Sequence, residues 1–89
     1  MKQHSKNYLE YFDLGKEDFI YCEMNWILNR IAVRAVDLHH IKYKSQGGGD
    51  EVDNIIALSR EYHIQAHEEQ LDKKYLIDIH DEFINNNPY

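Results

Sequence analysis

The chain has 89 residues and a mass of 10.7 kDa, which allows one domain with a small core, in a size range where a bound metal is a common staple. A single cysteine, Cys22, excludes an intramolecular disulfide, and no stretch approaches the roughly 20 apolar residues that span a bilayer, so a soluble, cytoplasmic protein without a membrane partner is expected. The net charge of −6 argues against a generic nucleic-acid binder, which carries a basic patch.

In chain order, Tyr8, Tyr11 and Phe12 fall at i, i+3, i+4 between Ser5, a candidate N-cap, and Gly15, which predicts a short amphipathic helix over about 5–14. The aromatic-rich segment Phe19 to Trp26 lacks a clean period and reads as a loop or a short extended piece. Arg34 to Ile41 reads as a strand, followed by the flexible loop Ser45-Gln46-Gly47-Gly48-Gly49-Asp50. Asn54 to Leu58 reads as a second strand, and Ser59 as the N-cap of a helix carrying His63 and His67. Leu71, Tyr75, Ile79 and Phe83 recur every four residues and predict a C-terminal helix over about 71–86, stopping in the Asn85-Asn86-Asn87-Pro88 run.

The chemistry-bearing residues cluster in the middle third. Asp37-Leu38-His39-His40, Asn54 and His63-Ile64-Gln65-Ala66-His67 bring four imidazoles and a carboxamide together. On a helix, His63 and His67 share a face and can grip one ion, and His39 can add a third ligand. Successive residues of a strand point to opposite sides, so His39 and His40 cannot readily do the same job. One can bind metal while its neighbour does chemistry. The stretch from Arg30 to His67 carries five cations and five anions, so the acidity lies in the flanks and a divalent ion would make this neutral middle electropositive.

These motifs, in this order over residues 34–67 and their flanks, resemble the HNH endonuclease family, and the His-His pair with a terminal His-x-x-x-His is similar to colicin-type DNases. The resemblance implies an α+β fold: a small single domain over 1–89 with a ββα-metal core at about 34–70, flanked by an N-terminal and a C-terminal helix. It implies a metal-dependent endonuclease that hydrolyses DNA phosphodiester bonds and leaves 5′-phosphate and 3′-hydroxyl ends. His39, His63 and His67 would bind one divalent ion, His40 would be the general base, and Asn54 would brace the loop between the strands. Asp37 falls where related sequences often carry an acid, and Arg34 where a cation could meet a phosphate. An imidazole, with an unperturbed pKa of about 6.5, suits proton abstraction from water near neutral pH. Three protein ligands leave positions open for a phosphate oxygen and the leaving oxygen. Zinc, nickel, cobalt or manganese would bind such a set better than magnesium, although turnover can rank the ions differently.

The chain departs from many members of the family it resembles at a second zinc site. Where they carry two Cys-x-x-Cys pairs, this sequence reads Cys22-Glu23-Met24-Asn25 and Ser59-Arg60-Glu61-Tyr62, so a four-cysteine site is excluded and Trp26, Tyr62 and their apolar neighbours must fill the space. Cys22 reads as a small buried hydrophobe. Taken singly, Asp37 reads first as an exposed or capping acid, Lys42 and Lys44 as solvated or phosphate-contacting, and His4 and His80 as surface residues. The alternative function is a non-catalytic metal-stabilised binding module, or a nuclease subunit active only with a partner protein; DNA is the expected substrate partner, with a protein partner or a homodimer as further possibilities.

Overall fold

The computed structural model describes residues 1–89. The first amphipathic pattern forms helix α1, Gln3–Tyr11. It begins before Ser5, which is therefore not its cap, and Lys2 occupies the N-cap position without a side-chain hydrogen bond. Tyr8 and Phe12 turn inward, and Asp13, at φ 56°, takes the chain out of the helix in the left-handed region.

The segment read as a loop or extended piece is only half so. Tyr21 forms a single antiparallel bridge to Arg34, and helix α2, Glu23–Asn29, starts two residues later. Its inward positions are Glu23, Met24 and Ile27, an i, i+1, i+4 stripe that becomes visible only when a charged residue is allowed in the core. Arg30, at φ 56°, ends the helix.

The strand predicted over 34–41 is shorter, because Arg34 pairs with Tyr21 instead. Strand β1, Asp37–His40, runs antiparallel to β2, Ile55–Leu58, with His39 opposite Ile56 and His40 opposite Ile55. All of β2 is buried, and it divides the core. Ile56 and Leu58 face Met24, Leu76 and Ile79, whereas Ile55 and Ala57 face Tyr8, Phe12 and Phe83. Burying that much apolar side chain on both faces is the main stabilising term available to so small a domain. Cys22, fully buried, packs in the first cluster, with Tyr62 against it.

Between the strands the loop makes 3₁₀ turns at Lys44–Gln46 and Val52–Asn54. Gly48 passes so close to the Lys42 carbonyl that an added Cβ would lie 1.8 Å from its oxygen, so this position requires glycine. Helix α3, Arg60–His67, follows β2 directly, with Ser59 in the N-cap position but without a side-chain capping bond.

Helix α4, Lys73–Asn85, closes the molecule against α2 and the Val52–Asn54 turn. Its buried stripe is Leu76, Ile79, His80 and Phe83. A strict four-residue repeat drifts around a 3.6-residue helix, so Tyr75 faces outward while His80 faces in. His80 is thus a core residue and not a surface one. Its Nδ1 lies 2.7 Å from Glu23 Oε1, and its Nε2 2.6 Å from the Val52 carbonyl. The other Glu23 oxygen accepts from the Tyr8 hydroxyl at 2.6 Å and from the Ala57 amide at 3.0 Å. Glu23 and His80 are fully buried, and every polar contact they need is made. The result is a small α+β fold of four helices on one two-stranded antiparallel sheet, in the order strand, loop, strand, helix through its middle. No helix is long and apolar enough to cross a membrane.

Candidate metal centre and its cleft

β1 delivers Asp37 and His39, and α3 delivers His63, to one point: their ligand atoms all lie within 4.8 Å of one another. The His63 Nδ1 is 2.8 Å from Asp37 Oδ2, yet it is buried and has no hydrogen bond, so the two atoms are close but out of line. The two atoms stand at ion-pair distance without an in-line hydrogen bond, so with His39 they could also share a cation. His39 is buried, and that burial pushes its pKa down against the pull of Asp37, which favours the neutral imidazole that a metal takes. Two imidazoles and a carboxylate suit a borderline divalent ion such as zinc, manganese or nickel, and such a set leaves coordination positions open.

His67 stands beside this group rather than within it. It is exposed in the last turn of α3, and its ring stacks on that of His63 at 5.9 Å and 23°. Spacing of i, i+4 guarantees neighbouring rings but not converging lone pairs. The third donor at the point of convergence is Asp37, which the sequence offers no reason to prefer over an ordinary exposed acid.

Asp37 and His39 line a cleft of about 620 Å³ beside the start of α1, whose lining also includes His40, Lys44, Asp50 and His67. His40 Nε2 lies 2.8 Å from Asp50 Oδ1, and Lys44 Nζ lies 3.4 Å from the other oxygen of that carboxylate. The hydrogen bond from His40 holds the Asp50 carboxyl below its ordinary pKa. An ionised carboxylate can only accept, so the neutral imidazole that bonds it carries its proton on Nε2 and has its lone pair on Nδ1.

His4 reaches over from α1, its ring centroid 4.4 Å from that of His40, and burial followed by the neighbouring His40 lowers its pKa. His4 is therefore half-buried at the cleft and not a free surface residue. No local pattern marks it, because its place depends on how α1 docks. Asp50 has a faint signal, as the acid that ends the glycine run.

Asn54 cross-links the loop. Its Oδ1 accepts from the Lys42 amide at 2.9 Å, and its Nδ2 donates to the carbonyls of Lys42 at 3.0 Å and Gly49 at 2.9 Å. Those bonds fix the end of β1 relative to the segment that presents Asp50. Arg34 is not brought to the cleft: it is exposed, and its guanidinium lies 4.9 Å from the centre of the Phe19 ring. Lys42 also lies outside the cleft lining, whereas Lys44 is part of it. Comparison of the chain with protein-family models, with curated proteins and with solved structures returned no match.

Proposed function

We propose that the chain is a metal-dependent endonuclease of the HNH kind, which hydrolyses DNA phosphodiester bonds with one divalent ion and with His40 as general base. The observation that carries the reading is the convergence of Asp37, His39 and the unbonded Nδ1 of His63 at the edge of the cleft that His40 lines. His67, adjacent and exposed, is available as a further ligand or a contact to substrate.

Phosphodiester hydrolysis needs a deprotonated water, stabilisation of charge gathering on phosphorus, and help for the departing oxygen. Asp50 fixes the tautomer of His40, leaving Nδ1 to take a proton from water. Asn54 positions His40 through the loop and touches no reacting atom. Lys44, on the cleft wall, offers a charge to a phosphate oxygen. Asp37, His39 and His63 would hold the ion, which would supply Lewis-acid stabilisation of the charge gathering on the phosphate and the departing oxygen; departure of the 3′ oxygen leaves 5′-phosphate and 3′-hydroxyl ends. The net charge of −6 makes encounter with DNA unfavourable, which gives a partner protein a role in delivery.

The test is a supercoiled plasmid incubated with the protein and Mg²⁺, Mn²⁺, Ni²⁺ or Zn²⁺, beside His40→Ala and an EDTA control. Metal-dependent nicking that His40→Ala abolishes, with metal binding retained, supports the reading. A wild type that binds its ion and cuts nothing assigns the ion to holding the fold, or the activity to a complex with a partner.

A further inference from the structure

His4, His40 and Asp50 form a second group whose ligand atoms all lie within 4.8 Å of one another, and one-metal hydrolysis uses no more than two of them. They come from three separate segments: α1, β1 and the glycine loop. We propose that they form a second site for a zinc-class divalent cation, and that its occupancy switches the cleft off. Two imidazoles 4.4 Å apart and a carboxylate 2.8 Å from one of them are the donor types and the closeness such an ion requires. The one cation already beside Asp50 is Lys44, at 3.4 Å and 66% exposed, so it is free to swing into solvent when an ion arrives. Three protein donors leave room for water, which makes the site exchangeable rather than structural.

The consequence for the cleft follows from electron counting and rests on the nuclease reading. A neutral imidazole has one lone pair on its two ring nitrogens. If the ion takes Nε2, the proton that Nε2 carried moves to Nδ1; if it takes Nδ1, that lone pair is donated directly. In both cases His40 can no longer accept a proton from water. The first group, Asp37, His39 and His63, contains none of these residues, so one ion enables the chemistry and a second one stops it.

The experiment is a Zn²⁺ titration of EDTA-stripped protein against a chromophoric chelator. Two equivalents are expected for the wild type. One is expected for each of His4→Gln, Asp50→Asn and His63→Gln, the last losing the other site; circular dichroism establishes that each variant is folded. Mn²⁺-supported plasmid nicking should then fall at least tenfold on adding the second equivalent of Zn²⁺ to wild type, and should not respond to it in His4→Gln. A single equivalent in the wild type, or two in both His4→Gln and Asp50→Asn, overturns the second site. Two equivalents with the expected losses, but no nicking at any loading, leave the second site standing and overturn the reading of the isolated chain as a nuclease.

Discussion

The protein contains two imidazole–carboxylate pairs of nearly equal length in opposite surroundings. Glu23 and His80 meet at 2.7 Å and both are fully buried, while His40 and Asp50 meet at 2.8 Å on the wall of an open cleft. In the buried pair every lone pair and proton has a partner: Tyr8, Ala57 and Val52 complete it, tying α1, α2, β2, α4 and the turn before β2 to one point. In the cleft pair the carboxylate holds one ring nitrogen and the other keeps its lone pair. The chemistry of the two pairs is the same, and burial decides which becomes structure and which is free to react. A saturated pair has nothing left to offer a substrate, whereas an unsaturated one would be costly in a core.

The largest effect should come from breaking the buried pair. Glu23→Leu leaves the His80 Nδ1, the Tyr8 hydroxyl and the Ala57 amide without acceptors, and breaking one side of a buried pair costs about 3–5 kcal/mol. A domain of this length holds about 5–13 kcal/mol in all, so the melting transition should fall by more than 10 °C or lose cooperativity. Asp50→Asn should leave the melting temperature within a few degrees of wild type, because the pair is only part-buried on the cleft wall, where water can replace the lost contact, and its other partner Lys44 is exposed. Equal losses in the two variants, followed by circular dichroism, would erase the distinction between the pairs.

The cleft pair should show the reverse sensitivity. His40→Ala is expected to lower plasmid nicking about 10²–10⁴-fold, the usual contribution of a general base, with a melting temperature near that of wild type. Asn54→Ala comes next. It removes three hydrogen bonds that hold the loop, for about 1–3 kcal/mol of stability. Since Asn54 touches no reacting atom, nicking should fall through a loosened His40, with kcat lowered and KM little changed. A variant that melts lower yet cuts at the wild-type rate would confine Asn54 to stability.

Much of the cleft was legible in the sequence and much of the core was not, for one physical reason. Histidines and an asparagine at fixed spacing are rare enough to be noticed, and the elements that carry them, a strand before a glycine loop and a helix after a second strand, follow from local pattern. The positions of Asp37, Asp50 and His4 depend on docking between elements, which no window of sequence contains. His67 shows the same limit from the other side, since helical spacing made it a neighbour of His63 without bringing it into the group with Asp37 and His39. In the core, Glu23 and His80 defeat a reading based on hydrophobic period, because each fills an apolar position with a charged type. Removing Glu23 from the inward stripe erased α2, and treating His80 as polar turned the stripe of α4 toward Tyr75. The two residues explain each other only as a pair.

The smallest predicted effect is the one that isolates the protonation of the buried pair. Burial alone would push His80 toward the neutral form, but the hydrogen bond and charge of Glu23 and the Val52 carbonyl outweigh it and raise its pKa above 6.5. Burial also raises Glu23 above 4.5, against the bonds from His80, Tyr8 and Ala57. Both shifts have the same sign: the folded protein binds protons that the unfolded chain releases. For His80 the added stability is complete below about pH 6.5 and is lost as pH rises through the higher folded value. The lowered pKa values of His39, His4 and Asp50 act oppositely, losing stability as pH falls, but they are common to wild type and to a core variant and cancel in the difference. Urea unfolding of wild type and of the double variant Glu23→Gln/His80→Gln, which removes both coupled groups, at pH 5.5, 7 and 8.5 should therefore show a wild-type advantage that is greatest at pH 5.5 and shrinks toward 8.5. An advantage that stays constant across that range would mean that the pair contributes shape and hydrogen bonds without holding an extra proton. The buried pair would then differ from the cleft pair in solvent access alone, and not in the charge it keeps.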